Sequence, residues 1–333
     1  MESVAVLGAG AWGTALAIRL AGRFQVRLWT RNPEHAEAMV SDGVNRRYLP
    51  EVALPPGVQV SASLAEAVAD AELLIVAVPT SGLRDTLRQL IAIDAIRPLI
   101  WLCKGFEAGS MQLPHQVLAE TWPAGRPAGV LSGPSFAREV AAGLPTALTV
   151  AALDAGFARQ VAYALHGPHL RLYSSDDLIG VEIGGAVKNV IAIATGISDG
   201  LGFGHNARAA LITRGLAEIA RLGLRLGGRQ DTFMGLSGMG DLILTCTGDL
   251  SRNRRVGLRL AAGESLEGVL RALQHVAEGV TTACEVDRLA QELGVEMPIS
   301  QAVRQILVQD LTPREAVASL FGRDLKDETD PRA

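Results

Sequence analysis

Apolar residues follow two regimes along the chain. Through the first half, short unbroken aliphatic runs alternate with stretches whose apolar positions recur every three or four residues. The runs at 3–7, 25–29, 73–78, 99–102, 129–132 and 146–151 predict strands. Continuous rather than alternating apolarity is what parallel strands covered on both faces require. The stretches between them predict helices, including one over 14–20 and one opening at Ser63, where Ser63 and Glu66 have capping-box spacing. Strand–helix–strand repetition implies an α/β, doubly wound sheet with helices on both faces.

After about Asp177 the pattern changes. Segments 178–197, 207–226, 252–262, 281–293, 300–308 and 313–320 carry helical periodicity, with glycine-rich turns between several of them and no convincing strand. The chain therefore reads as a dinucleotide-type α/β domain over 1–178 and an all-helical domain over 179–322. A charged tail, 323–333, is expected to fray. A length of 333 residues agrees with two domains, because single cores stop growing near roughly 250–300 residues.

Composition narrows the class. The net charge of −4 comes without a basic stripe, which argues against a nucleic-acid partner. Cys103, Cys246 and Cys284 lie far apart, a set that suits a reducing compartment and supports neither disulfides nor a zinc site. No apolar run approaches the ~18 residues a bilayer span needs, and the N-terminus reads straight into a strand. The expectation is a cytoplasmic protein with no membrane span.

Gly8-Ala9-Gly10-Ala11-Trp12-Gly13 follows the first predicted strand and precedes a predicted helix. In that context Gly8 permits a tight turn, Gly10 lets a pyrophosphate approach the backbone, and Gly13 allows close helix–strand packing. The helix N-terminus then offers N–H groups and a positive dipole end to phosphates. The second strand ends Arg27-Leu28-Trp29-Thr30-Arg31, without the acidic residue that usually binds the ribose 2′-hydroxyl; the nearest is Glu34. Arg31 could meet a 2′-phosphate, so NADP(H) is preferred, with NAD(H) possible.

A group that moves a proton works best with a pKa near the operating pH. No histidine stands out, and lysines are few: Lys104, Lys188 and Lys326. Lys188 lies in a small, apolar helical pattern with Gly184 and Gly185 on its face and no carboxylate. It either reaches solvent or is held desolvated, which would lower its pKa. Lys104 follows a strand at the edge where α/β sheets bind ligands, and is otherwise a loop lysine in water. Gly133-Pro134-Ser135-Phe136-Ala137 reads as a turn opening a helix. Asp241 follows a glycine turn, as a cap or as a carboxylate aimed at a hydroxyl or at Lys188. Ser251-Arg252-Asn253-Arg254-Arg255 opens a helix with Ser251 at the N-cap, an arrangement that suits an anionic group, although Arg254 and Arg255 also read as a solvated face.

Taken in order, GAGAWGTALA (8–17), LCKG (102–105), SGPSFAREVAAGLPTA (132–147), IGGAVKNVIAIATG (183–196), MGDLILTCTGDLSRNRR (239–255) and VAEGVTT (276–282) make the chain resemble the bacterial NAD(P)-dependent glycerol-3-phosphate dehydrogenases over nearly its whole length. The resemblance implies reversible reduction of dihydroxyacetone phosphate to sn-glycerol 3-phosphate for glycerophospholipid synthesis, by a homodimer. It implies Lys188 as proton donor and acceptor, with Lys104 and Asp241 beside it. Lys104, Gly133, Ser135, Lys188, Asp241, Ser251, Arg252 and Asn253 would hold the substrate. Gly8, Gly10, Ala11, Trp12, Gly13, Arg31, Lys104, Ala137, Arg252, Val276 and Glu278 would contact the cofactor. Ala11 departs from the small hydroxyl residue frequent in the family, losing a side-chain donor but keeping the backbone N–H. Nothing in the sequence calls for a metal. Two other readings stay open on the residues alone: a related hydroxy-acid dehydrogenase and a non-catalytic nucleotide sensor.

Overall fold

In the computed structural model, which describes residues 1–273 and 277–323, the six apolar runs are strands and four further strands join them. In chain order these are β1 (Ser3–Leu7), β2 (Gln25–Trp29), β3 (Val44–Asn45), β4 (Leu49–Ala53), β5 (Val58–Ser61), β6 (Leu73–Val76), β7 (Leu99–Trp101), β8 (Ala128–Ser132), β9 (Thr146–Ala151) and β10 (Leu170–Ser175). Eight of them form one sheet in the order β10-β9-β8-β7-β6-β1-β2-β5, while β3 and β4 make a separate hairpin.

The sheet is parallel from β5 to β8, with β9 antiparallel to β8 and β10 parallel to β9. Residues 146–151 thus form a strand, but one that runs antiparallel to the β5–β8 strands. The link from β8 to β9 holds only the five-residue helix Ala137–Ala141, too short to carry the chain back along the sheet as a parallel crossover must. The two main-sheet strands that the sequence pattern does not single out, β5 and β10, are its edges. Their exposed positions, Gln59, Arg171 and Tyr173 among them, break up the aliphatic runs by which the central strands are recognised.

Local signals hold with one adjustment. Ser63 caps the helix Leu64–Val68 by accepting from the Glu66 N–H. The reciprocal half of the capping box is missing, because the Glu66 carboxylate takes the Ser61 hydroxyl and Ser61 in turn accepts the Ser63 N–H.

The chain divides into an α/β unit, Met1–Cys103 with Pro114–Leu178, and a helical unit made of Lys104–Leu113 and the chain from Ile179 onward. The sequence reading leaves residues 104–113 in the first domain. They join the second because Phe106 and Leu113 are buried in its core. The tail beyond Arg323 lies outside the described residues; Arg323 itself pairs with Glu296.

At the centre of the helical unit is the 23-residue helix Leu178–Gly200. By length and composition it is apolar enough to cross a membrane, which corrects the expectation that no run is, but 94% of its apolar window is buried within the protein. Glu182, Lys188 and Asn189 interrupt the run in the sequence and conceal its length. The helix Arg252–Ala261 crosses it at two glycines. A Cβ on Gly196 would lie 2.1 Å from the Arg254 carbonyl oxygen, and one on Gly257 2.1 Å from that of Ile193. Glycine to alanine inside a helix ordinarily stabilises by up to ~1 kcal/mol. Here Gly257→Ala should instead destabilise by about 1–3 kcal/mol, the usual cost of overpacking. A lower urea midpoint at unchanged slope is the expected result, and a raised one would contradict this crossing.

Candidate functional site

The glycine turn belongs to the α/β unit. Gly8 sits at φ +124°, and a Cβ there would lie 2.8 Å from the Ala77 backbone just past β6. A Cβ on Gly13 would fall 2.0 Å from the Gly8 carbonyl oxygen and 2.9 Å from the Ala77 methyl. Both glycines are therefore steric necessities of packing. Gly10 differs: it is the extended N-cap of the helix Ala11–Leu20, makes no side-chain cap, and a Cβ there would meet nothing within 4 Å. The helix begins at Ala11 rather than at residue 14, because glycine and tryptophan positions obscure its first turn in the pattern. Its first N–H groups, at Ala11, Trp12 and Gly13, have no intrahelical acceptor. An uncapped helix start beside open space at Gly10 fits a pyrophosphate.

Arg31 follows β2 and is exposed, while Glu34 lies exposed in the first turn of the next helix, Pro33–Asp42. After β8, Gly133 adopts φ +134° and its carbonyl accepts from the Ser135 hydroxyl at 3.0 Å. Ala137 then opens the short helix Ala137–Ala141.

The helical unit brings Lys188, Lys104 and Asp241 into direct contact. Lys188 is only 6% exposed. Its Nζ donates to Asp241 Oδ1 at 2.5 Å and to Thr245 Oγ1 at 2.9 Å, and Lys104 Nζ donates to Asp241 Oδ2 at 2.6 Å. The Thr245 hydroxyl donates to the Asp241 carbonyl oxygen at 2.6 Å. One buried carboxylate thus bridges two ammonium groups, and the three charges leave a net positive site.

The electrostatics follow. Burial pulls the Lys188 ammonium down to about 8, with Lys104 adding to the fall and Asp241 opposing it. Burial alone would push the Asp241 carboxyl up, but Lys104 and Lys188 outweigh it and hold the group below the ordinary carboxylate value. Asp241 is therefore ionised wherever the protein is folded near neutrality, and Lys188 titrates within reach of it.

Backbone packing delivers Asp241. A Cβ on Gly184 would lie 2.5 Å from the Ser237 carbonyl oxygen, so the small face on the lysine helix admits another backbone there rather than a ligand. Residues Leu236–Gly240 form one π-helical turn leading into the helix Asp241–Thr247. Such turns recur at functional sites. Asp241 is thus in the first turn of a helix and not its cap. Thr245, which the sequence reading misses, lies four residues on and so on the same face. That spacing is legible in DLILTCT once a helix is assigned there, but the glycines just before it conceal the helix start.

The basic helix start divides its arginines. Ser251 caps it by accepting from the Arg254 N–H at 3.2 Å. Arg254 is not a solvated cation. It is 8% exposed and gives two bonds to Asp199 Oδ2, at 3.0 and 2.8 Å, and one to Asp249. Arg252 and Arg255 are exposed. Asn253 is buried, donating to Asn189 Oδ1 at 2.9 Å and accepting from the Gly279 N–H at 3.1 Å. This ties the helix start to the residue after Lys188 and to the residue after Glu278, and makes Asn189 and Asp199 further members that sequence reasoning does not single out. Val276 lies outside the described residues.

The family models for the N-terminus and C-terminus of NAD-dependent glycerol-3-phosphate dehydrogenase match residues 3–158 and 177–318. The chain is 60% identical over 329 residues to "Glycerol-3-phosphate dehydrogenase [NAD(P)+]" of Nitrosospira multiformis, covering 98% of this chain and 99% of that one. A protein of the same description from Thiobacillus denitrificans is 59% identical, with 97% and 98% covered. Among solved structures, glycerol-3-phosphate dehydrogenase from Coxiella burnetii superposes with a TM-score of 0.92 at 43% identity, over 97% of this chain and 99% of that one.

Proposed function

The chain belongs to the NAD-dependent glycerol-3-phosphate dehydrogenase family, and we propose that it reduces dihydroxyacetone phosphate to sn-glycerol 3-phosphate, reversibly, with NADPH or NADH. The observation that carries this reading is the buried Lys188–Asp241–Lys104 cluster. In it the α/β unit (1–178 of the chain, less 104–113) supplies the glycine turn for the cofactor, and the helical unit supplies the lysine cluster for the glycerol phosphate.

Gly8, Gly10, Ala11, Trp12 and Gly13 would hold the pyrophosphate, with Arg31, Lys104, Ala137, Arg252, Val276 and Glu278 completing the cofactor contacts. When bound, the reduced nicotinamide supplies the hydride. The absence of an acidic residue at the end of β2, where Arg31 follows, supports a preference for NADPH.

An ammonium has three N–H donors. Among the described residues, two of those on Lys188 are taken by Asp241 and Thr245. The third is the one that polarises the substrate carbonyl and then protonates the developing alkoxide. Lys104 adds positive charge beside the same oxygen and, through Asp241, keeps Lys188 in place. Gly133, Ser135, Ser251, Arg252 and Asn253 hold the rest of the substrate, with Arg252 on its phosphate. A phosphate fixed away from the reacting carbon supplies binding energy that orients that carbon. The family resemblance further supports a cytoplasmic homodimer that feeds glycerophospholipid synthesis.

The test is loss of NADPH absorbance with dihydroxyacetone phosphate, run beside NADH and beside unphosphorylated dihydroxyacetone. Turnover that requires the phosphate is expected, and none with either cofactor would reject the assignment. Arg252→Ala should raise KM for dihydroxyacetone phosphate at least about tenfold, equivalent to ~1.4 kcal/mol. Because Arg252 is also among the proposed cofactor contacts, the comparison is made at saturating NADPH.

A further inference from the structure

The small hairpin β3–β4 lies outside the main sheet, yet it contributes a side chain that is completely buried, Asn45. A buried primary amide is costly unless its donors and acceptor are all satisfied. Here they are. Asn45 Nδ2 donates to the Ala9 carbonyl oxygen at 2.9 Å and to Thr14 Oγ1 at 2.8 Å. Its Oδ1 accepts from the Tyr48 N–H at 3.2 Å and lies 3.0 Å from His35 Nε2. The amide can face only one way, because the Ala9 carbonyl can only accept and the Tyr48 N–H can only donate.

Both donor contacts fall on the dinucleotide turn. Ala9 is the residue between Gly8 and Gly10, and Thr14 closes the first helical turn with its N–H on the Gly10 carbonyl oxygen at 2.9 Å. No peptide bond in the described chain is cis. In a trans peptide the C=O and N–H point in opposite directions. Holding the Ala9 carbonyl toward Asn45 therefore turns the Gly10 N–H away from it. Gly10 has no side chain, and the space where one would stand is open. Without Asn45 this peptide has little to define its rotation, since glycine tolerates nearly all of backbone space.

We propose that Asn45 is a positioning residue for cofactor binding: it sets the orientation of the Ala9–Gly10 peptide, and so presents the Gly10 N–H to the pyrophosphate. The inference rests on the reading of Gly8–Gly13 as the dinucleotide site. It assigns that site a determinant 36 residues away in sequence, on the hairpin outside the main sheet. Pre-set backbone donors bind an anion better than donors that must first be ordered.

The experiment titrates NADPH and NADH into the full-length protein by fluorescence, with thermal melts alongside. Wild-type protein should bind, and failure there would reject the dinucleotide reading itself rather than the role of Asn45. Asn45→Ala should weaken both cofactors about tenfold or more and raise both cofactor KM values in step. The kcat at saturating cofactor and the KM for dihydroxyacetone phosphate should stay within about twofold. If Asn45→Ala does not fold, Thr14→Val decides. It is isosteric and removes only the hydroxyl that steadies the amide, and it should weaken NADPH about threefold. Wild-type affinity in a folded Asn45→Ala protein, or in Thr14→Val where that variant decides, would overturn the proposal. So would a fall in kcat together with a rise in the dihydroxyacetone phosphate KM, because that pattern marks a general scaffold residue.

Discussion

Lys188→Ala is expected to lower kcat for dihydroxyacetone phosphate reduction by about 10³-fold, the middle of the range for removing a positioned general acid. Cofactor affinity should be unchanged, because Lys188 is not among the proposed cofactor contacts. The fold should survive, since removing the ammonium leaves Asp241 still paired with Lys104. A melting temperature equal to or above that of the wild type is the expected companion result. The pH profile of the wild-type protein checks the same assignment. Burial sets the Lys188 ammonium at about 8. Reduction needs the protonated form, so kcat/KM in that direction should fall as pH rises through about 8. Oxidation of glycerol 3-phosphate needs the neutral amine and should rise over the same interval. Asp241, held low by the two lysines, contributes no limb near neutrality. Two limbs of the same sign, or a residual activity in Lys188→Ala within tenfold of wild type, would remove Lys188 from the proton-transfer role.

Asp241→Asn should be the more damaging change, because it harms both chemistry and stability. The amide can offer its oxygen to one lysine but must turn an NH₂ toward the other, which has only donors itself. One ammonium then faces an NH₂ in place of a carboxylate oxygen, and the buried site loses its one negative charge. Breaking a buried pair in this way typically costs about 3–5 kcal/mol, so a clear fall in the denaturation midpoint is expected. The carboxylate is also what resists the fall of the Lys188 pKa. Without it, burial and the Lys104 charge act unopposed, and the alkaline limb of the reduction profile should move to lower pH. The kcat should fall by about 10²–10³-fold because fewer enzyme molecules hold Lys188 protonated and in place. A midpoint like that of wild type with an unshifted limb would mean that Asp241 is not the shared counter-ion.

Much of the site is legible in the sequence. Strand, glycine turn and helix occur in the order a dinucleotide requires, and periodicity shows the later half as helical. Lys188 stands out because it sits alone in an apolar helical pattern. Its environment could not be read, because the carboxylate that meets it lies 53 residues away and reaches it only where Gly184 lets the Leu236–Gly240 turn approach. Lys104 is separated from the same carboxylate by 137 residues. Arg254 looked like its neighbours Arg252 and Arg255 in the sequence, and only the helix crossing shows it buried against Asp199. Asn45, in a polar stretch of the chain, carried no sign of its burial.

The sequence by itself determined the central strands and the main helices, the two-domain character and the residue types available for chemistry. These depend on local periodicity, on backbone preference and on how much apolar surface each segment must hide, and all three are written in neighbouring residues. The tertiary structure alone decided which charges meet, that 104–113 packs with the helices, that β9 runs antiparallel to β8, and that an amide from a side hairpin bonds to the glycine turn. Those outcomes depend on where helices and turns can come within a few ångströms of one another. Close approach is a property of two distant surfaces together, and neither segment carries it alone.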